Sequence, residues 1–253
     1  MQRVDTVWQS DTVVRNYLTG TRGAIPLAQE QIVVMERLIA AALPQGVASF
    51  LDLGCGDGIL GAVLLERYPS ATGVFVDFSP MMISAAQHRL RGQRDEARDL
   101  HLVTVDYSDP HWYRQPTIAA QTPFDVIVSG FSIHHQPDER KWALYAEIFH
   151  LLRPGGIFVN MEHVAARSAF GHELAEQYML DALWDHHRRQ GQTTDWSTFA
   201  QAFHGREDKQ GNLLTPVETQ CDWLREIGFV DVDCYLKLFE LALFAGIKPK
   251  DAR

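Results

Sequence analysis

Ten consecutive residues constrain this chain more than any others: Ser49-Phe-Leu-Asp-Leu-Gly-Cys-Gly-Asp-Gly58. An apolar run ends in three alternate glycines. Apolar residues at helical spacing (Ile59, Leu60, Val63, Leu64, Leu65, Tyr68) follow at once. A buried strand, a tight turn and a helix N-terminus in that order form the place where an open α/β sheet takes a nucleotide-like ligand. Glycine lets the backbone turn without a Cβ clash and lie close against that ligand. A dinucleotide fingerprint G-x-G-x-x-G would need glycine at position 59, where Ile59 stands. No lysine follows the loop, which removes a Walker-type phosphate cradle. Asp52, before the first glycine, and Asp57, before the third, make the loop acidic. Such a loop suits a cationic ligand that carries an ammonium group.

The rest of the chain follows a βαβ rhythm. Strands are expected at 49–53, 73–77, 100–105, 124–129 and 156–161, with helical stretches between them, as in a parallel sheet. Pro154-Gly-Gly156 should end the helix that runs to Leu152 and launch the fifth strand. Residues 217–227 read as a helix with Gly228 as C-cap. Two strands then follow, 230–235 and 240–246, so closely linked that they should pair as a hairpin and bring one antiparallel strand into the sheet. Residues 1–46 read as a helical lid, broken by turn chemistry over Thr19–Pro26 and resumed as an amphipathic helix from Gln29 to Leu43. The α/β core is expected over 47–163 and 217–253. Residues 164–216 exceed what that core needs and read as a helical insertion, with helices near 172–190 and 195–203. Leaving from a strand end, it reads as a substrate cap.

Asp52-Leu-Gly-Cys-Gly-Asp-Gly58 resembles the first motif of the class I methyltransferases that use S-adenosylmethionine (SAM). The resemblance extends to Val76-Asp-Phe-Ser-Pro-Met-Met82, Thr104-Val-Asp106, Phe124-Asp-Val-Ile-Val-Ser129 and Leu152-Arg-Pro-Gly-Gly156. It implies a Rossmann-like seven-stranded α/β sheet of order 3-2-1-4-5-7-6, and it implies SAM as cofactor. Gly54, Gly56 and Gly58 would let the loop lie against SAM, with Cys55 beside them, and Asp52 or Asp57 would answer its ammonium. Asp77 would accept both ribose hydroxyls, and Phe78 and Met82 would flank the adenine. Asp106, with Tyr107 next to it, would accept the adenine amino group. Ser129, Gly130 and Phe131 would face the methionine part. Tyr17 and Arg22 lie where related enzymes close a lid over the cofactor, Arg22 toward the SAM carboxylate and Tyr17 toward the methyl end.

Methyl transfer from a sulfonium is an in-line displacement in which the cofactor brings the reactivity. A general base is needed only where the nucleophile holds a proton with a high pKa. His134 and His135 after the fourth strand and Glu162 and His163 after the fifth are the candidates. Against this, one of the two adjacent histidines would simply cap the helix that starts near Asp138. The same four residue types suit zinc or manganese, but no metal is assigned.

Arg206, with Leu214-Thr-Pro-Val-Glu-Thr-Gln220 and Trp223-Leu-Arg-Glu-Ile-Gly-Phe229, is similar to the tail of the carboxy-SAM synthase family. There an arginine at the place of Arg206 binds the extra carboxylate of the product, which makes Arg206 an anion-binding candidate here. Gly58 departs from the synthase loop and favours ordinary methyl transfer. Phe131, His163 and Arg206 are therefore assigned to the acceptor. Tyr178, Trp184, Trp196, Phe199 and Phe203 point to an aromatic or partly apolar one, or else form the insertion's own core.

A net charge of −9 over 253 residues argues against nucleic acid as partner, because that affinity rests on Lys and Arg neutralising phosphates. The arginines at 89, 91, 94 and 98 are interrupted by acids and read as a solvated helix end. No run is long and apolar enough to span a membrane, and no signal-peptide pattern appears. The three cysteines, Cys55, Cys221 and Cys234, are widely spaced and point to a reducing cytoplasm rather than to disulfides. The reading is a cytoplasmic enzyme that methylates a small molecule, with a homodimer left open. The alternatives are a carboxy-SAM synthase-like enzyme and a SAM-binding regulatory protein without turnover.

Overall fold

The computed structural model describes residues 6–10, 13–14, 21–91, 100–206, 209 and 211–250. Tyr17 lies outside the described residues, and of Arg22 only the backbone is described, within a 3-10 turn, Thr21–Ala24. The elements are α1 (Ala28–Ala42), β1 (Ser49–Leu53), α2 (Ile59–Arg67), β2 (Thr72–Asp77), α3 (Pro80–Leu90), β3 (Leu100–Thr104) and α4 (Pro116–Ala120), then β4 (Phe124–Gly130), α5 (Asp138–Leu151), β5 (Leu152–His163), α6 (Ala169–Arg189), α7 (Trp196–His204), α8 (Val217–Ile227), β6 (Val230–Leu238) and β7 (Leu241–Ile247).

The seven strands form one sheet of order β3-β2-β1-β4-β5-β7-β6, as the motifs imply. The first five are parallel, and β7 runs antiparallel to both β5 and β6. Side chains alternate across a strand, so each central strand feeds two cores. Phe50, Phe75, Val126 and Val128 pack on one face with Met35 and Ile39 of α1 and Leu64 of α2. Leu51, Val74, Val76 and Ile127 pack on the other with Leu144 and Ile148 of α5 and Leu224 of α8. Coverage on both faces is why these strands read as near-continuous apolar runs. Gly61 on α2 lets the helix approach the sheet, since a Cβ there would overlap the ring of Phe75.

Three expectations change. Within the stretch expected as a lid, Met35 and Ile39 are fully buried, which makes α1 a layer of the core. Pro154-Gly-Gly156 lies inside β5 rather than before it. The pairing with β4 jumps from Phe124↔Leu152 to Val126↔Ile157, so the Pro-Gly segment is looped out as a bulge. The last hairpin is also tighter than expected. Strand β6 continues to Leu238 and leaves only Phe239 and Glu240 in the turn, Phe239 with φ 51°.

The insertion folds as α6 and α7, capped by Ser168 and Asp195. Leu180, Leu183 and Phe203 form its small core together with Ala24. Its two ends lie side by side: Ala165 N–H donates to Thr215 O at 3.1 Å. The returning strand of chain is pinned from below by the fully buried Lys141 of α5, whose ammonium donates to Leu213 O, to Thr215 Oγ1 (2.6 Å) and to Asp138 Oδ1 (3.0 Å). Among the described residues, no helix is long and apolar enough to cross a membrane.

Candidate active site

The loop after β1 runs through the left-handed region at Gly54 (φ 65°), Gly56 (φ 55°) and Gly58 (φ 75°), where L side chains are strained. A Cβ on Gly54 would overlap Ser132 Oγ. At Gly56 it would meet only Met82 Sδ, 3.9 Å away, so that side of the loop opens onto space. The carboxylate of Asp77, at the end of β2, gathers the loop: Oδ2 accepts from Gly56 N–H at 2.9 Å and Oδ1 from Ser79 N–H at 2.8 Å. Asp52 Oδ2 accepts from Gly61 N–H at 2.8 Å and fastens the start of α2 to β1. Arg89, expected at a solvated helix end, instead donates to Asp57 through Nη2 to Oδ2 (2.5 Å) and through Nε to the backbone carbonyl (3.1 Å). Burial first, then Asp52 and Asp77, push the Cys55 thiol well above its ordinary range, so it stands as a neutral thiol.

Two adjoining cavities border this loop. One, with about 730 Å³ of empty space out to its mouth, is lined by Gln31, Asp52, Gly54, Asp57 and Met161 among others. The second, about 440 Å³, is lined by Trp8, Asp77, Phe78, Met82, Tyr107 and Ser132. Tyr107 is held there by its hydroxyl, 2.6 Å from Ser132 Oγ and 2.9 Å from Ser132 O. Three expected residues line neither cavity: Gly58, where a Cβ would face Ala86 and Phe75, Ser129 and Asp106. Ser129 is fully buried and its Oγ donates to Leu53 O at 2.7 Å, so it ties β4 to β1 within the sheet. Asp106 lies two residues beyond the end of β3, where its Oδ1 accepts from Ser108 N–H at 2.8 Å.

A third cavity, about 870 Å³ out to its open mouth, separates the strand ends from the insertion. His134, His163, Tyr178, Phe203, Arg206 and Glu240 are among its walls. Phe131 borders all three cavities. Its backbone is left-handed (φ 51°), and its N–H donates to Met161 O at 2.8 Å. A bulky residue held at positive φ is a strained feature of the kind that functional sites retain.

Glu162 is fully buried and saturated. Oε1 accepts from His134 Nδ1 (2.5 Å) and His163 N–H (3.0 Å); Oε2 accepts from His134 N–H (3.1 Å) and Asn160 Nδ2 (3.4 Å). Those contacts fill the lone-pair sites of a carboxylate, and two of them hold His134 in place. Burial nonetheless pushes its carboxyl up to about 7. His135 is engaged at both nitrogens, accepting from Trp8 Nε1–H at 3.1 Å and donating from Nδ1 to Gly211 O at 3.0 Å. The hairpin turn sends Glu240 to His163 Nε2 (3.3 Å), to His172 Nδ1 (2.9 Å) and to Ala166 N–H (3.2 Å). Arg206 and Lys209 both lie over the ring of Phe203, at 5.9 and 3.6 Å from its centroid, and Lys209 pairs with Glu176 at 2.7 Å. Of the insertion's aromatic residues expected to face an acceptor, only Tyr178 and Phe203 line this cavity. Trp184 packs on Trp196 and Phe199 instead, at 5.3 and 5.2 Å.

Residues 51–158 match the family described as Methyltransferase domain. Over 218 residues the chain is 27% identical to the carboxy-S-adenosyl-L-methionine synthase of Aeromonas salmonicida, covering 85% of this chain and 81% of that protein. The domain match, this relative and the fold together support a class I SAM methyltransferase. It is also 29% identical over 139 residues to the ribosomal RNA large subunit methyltransferase G of Shewanella loihica, but that match takes in 51% of this chain and only 33% of the relative. Among solved structures, an O-methyltransferase family protein from Burkholderia thailandensis superposes with a TM-score of 0.67 at 15% identity, covering 99% of this chain and 65% of that one. The CurJ carbon methyltransferase superposes with a TM-score of 0.61 at 19% identity, covering 99% and 62%.

The methyltransferase uses SAM, and the groups present suit that molecule. SAM is a cation bearing an ammonium, a sulfonium and a diol. The loop offers it carboxylates, an uncovered glycine face at Gly56 and an apolar wall at Phe78 and Met82. Four residues in or near these cavities were given no role from the sequence: Trp8, Lys141, His172 and Glu240. Each meets its partner across a long stretch of chain, and no local pattern marks such pairs.

Proposed function

We propose that this methyltransferase transfers the methyl group of SAM to a small-molecule acceptor bound in the 870 Å³ cavity, with His134 taking the acceptor's proton. The observation that carries the reading is the insertion over 164–216. It roofs the cavity beside Phe131 and leaves a chamber of small-molecule size that shares Phe131 with the two cavities at the glycine loop. In this reading the insertion is the substrate cap, and the N-terminal stretch through Trp8 and Ile25 completes the wall.

Bound SAM supplies an electrophilic methyl on sulfur. Gly54, Gly56 and Gly58 would carry its methionine part, with Asp52 at the ammonium. Asp77, which gathers the loop through Gly56 and Ser79, would accept the ribose hydroxyls. Phe78 and Met82 would hold the adenine. His134 donates Nδ1–H to ionised Glu162, which sets the tautomer and leaves Nε2 as the basic nitrogen. Phe131 stands between the donor and acceptor chambers and would align the nucleophile with the methyl.

A second reading has one observation in its favour. Arg206 lines the acceptor cavity, and the carboxy-SAM synthase match spans most of both chains. An anion held at Arg206 would then be the carboxylate of a modified SAM. The test is release of S-adenosylhomocysteine (SAH) from SAM against phenols, amines, thiols and a ribosomal RNA fragment, with mass spectrometry of the small molecule carried through purification. SAH release with a small acceptor supports the first reading. Turnover with RNA alone overturns it, and carboxy-SAM in the purified protein moves the assignment to the second.

A further inference from the structure

His135 has no part in the proton transfer above, and its two hydrogen bonds give it a different one. The indole N–H of Trp8 can only donate, and the carbonyl of Gly211 can only accept. One ring meets both demands, Nε2 accepting at 3.1 Å and Nδ1 donating at 3.0 Å. That fixes His135 as the neutral Nδ1–H tautomer. The ring is 7% exposed and lies 4.0 Å from that of His134, centroid to centroid. Trp8, 5.8 Å away at 55°, borders both the cavity with Asp77 and Met82 and the acceptor cavity. Three remote parts of the chain therefore meet at one imidazole: the N-terminal turn Thr6–Gln9, the turn Ile133–His135 after β4, and the segment returning from the insertion.

We propose that His135 is a positioning residue that seats Trp8 across the seam between the cofactor and acceptor cavities and ties that seat to the chain returning from the insertion. The assignment rests on the reading that SAM occupies the cavity at Asp77. Because the ring must donate on one side and accept on the other, no single amide replaces it. Asparagine has its amide near the place of Nδ1, so it keeps the Gly211 bond and loses Trp8. Glutamine has its carbonyl near the place of Nε2, so it keeps Trp8 and loses Gly211.

The test uses the 253-residue chain labelled with 5-fluorotryptophan, the signal of Trp8 among the six tryptophans being assigned by its loss in Trp8→Phe. The Trp8 fluorine resonance is expected to move in His135→Asn and to stay in His135→Gln. By calorimetry, Trp8→Phe and His135→Asn should each weaken SAH binding about three- to tenfold, the size of one lost hydrogen bond. The double variant should be no weaker than either, because both changes remove the same contact, and His135→Gln should recover most of the affinity. A Trp8 resonance indifferent to His135→Asn overturns the proposal, as do wild-type SAH affinities in Trp8→Phe and His135→Asn. A wild-type protein that takes up no SAH overturns the cofactor reading and this assignment with it.

Discussion

The amide of Gly56 donates to the carboxylate of Asp77 at 2.9 Å, so the loop that ends β1 and the acid that ends β2 form a single construction. Cys55 N–H adds a second tie to Val76 O at 2.9 Å. Asp77→Asn is nearly isosteric, yet one of its two positions becomes an NH2 facing a backbone N–H. We expect SAH binding to weaken by about 1.5–3 kcal/mol, or roughly 10- to 100-fold, as for hydrogen bonds to a charged group. Calorimetry checks this, and an unchanged affinity would remove Asp77 from the cofactor site.

The dependence on Glu162 has a sign. Its folded carboxyl titrates near 7 because burial disfavours the charge, whereas an unfolded glutamate titrates near 4.5. Between these values the native state holds the proton more tightly, so the stability contributed by this group falls as pH rises from about 4.5 to 7. Activity runs the other way, since ionised Glu162 is what orients His134. Wild-type turnover should climb through pH 7, and Glu162→Gln should lose that step along with about 10²–10⁴-fold of rate. The melting temperature of the wild type relative to Glu162→Gln should fall over the same window. A turnover profile shared by both proteins would separate Glu162 from the reaction.

His134→Ala isolates the proton acceptor from cofactor binding. SAH affinity should remain within about twofold, while turnover of an acceptor that must lose a proton falls about 10²–10⁴-fold. An acceptor whose nucleophile is already ionised should be spared. Equal losses on both kinds of acceptor would assign His134 to packing.

At the hairpin turn, the hydrogen bond to Glu240 raises His172 above its ordinary value, against a smaller opposing effect of burial. For Glu240, burial favours the neutral form, but the bonds from His163 and His172 outweigh it and hold the carboxyl low. The histidine's contribution to stability is full below its unfolded pKa and is lost as pH rises through the folded one. The glutamate's is present above its unfolded pKa and is lost as pH falls through the folded one. The link between α6 and the hairpin should therefore hold best in mildly acidic solution. NMR titration should find His172 above 6.5 in the wild type and lower in Glu240→Gln.

Lys141→Met retains bulk but leaves Leu213 O and Thr215 without their buried donor. A loss of about 1–3 kcal/mol is expected in denaturant unfolding, with faster proteolysis near residues 211–215. Wild-type protease resistance would argue that the returning segment is held by other contacts.

Much of the sheet was legible because burial leaves a periodic trace. Phe50, Leu51 and Val74–Val76 announce strands covered on both faces, and Gly54, Gly56 and Gly58 announce a backbone that must turn left-handed. The hairpin of β6 and β7 was legible from its short link, though its turn was not. Whether Glu240 lies in the last strand or at its tip depends on pairing, which composition does not encode. The side-chain partnerships were out of reach for a related reason. Trp8 meets His135 across 127 residues and Arg89 meets Asp57 across 32, and neither pair shares an element. The aromatic richness of the insertion marked a packed cluster, yet which rings would face inward depended on how α6 and α7 settle.

The hydrogen bond from Ala165 to Thr215 places the exit and re-entry of the insertion next to each other. A segment whose ends already touch can be shortened, lengthened or replaced without moving the strands on either side. In the proposed reading, the half of the molecule around the glycine loop is thereby shielded from change in the half that would select what is methylated. New acceptors would then become accessible by grafting a different pair of helices between residues 165 and 215, while the part that handles the methyl donor stays as it is.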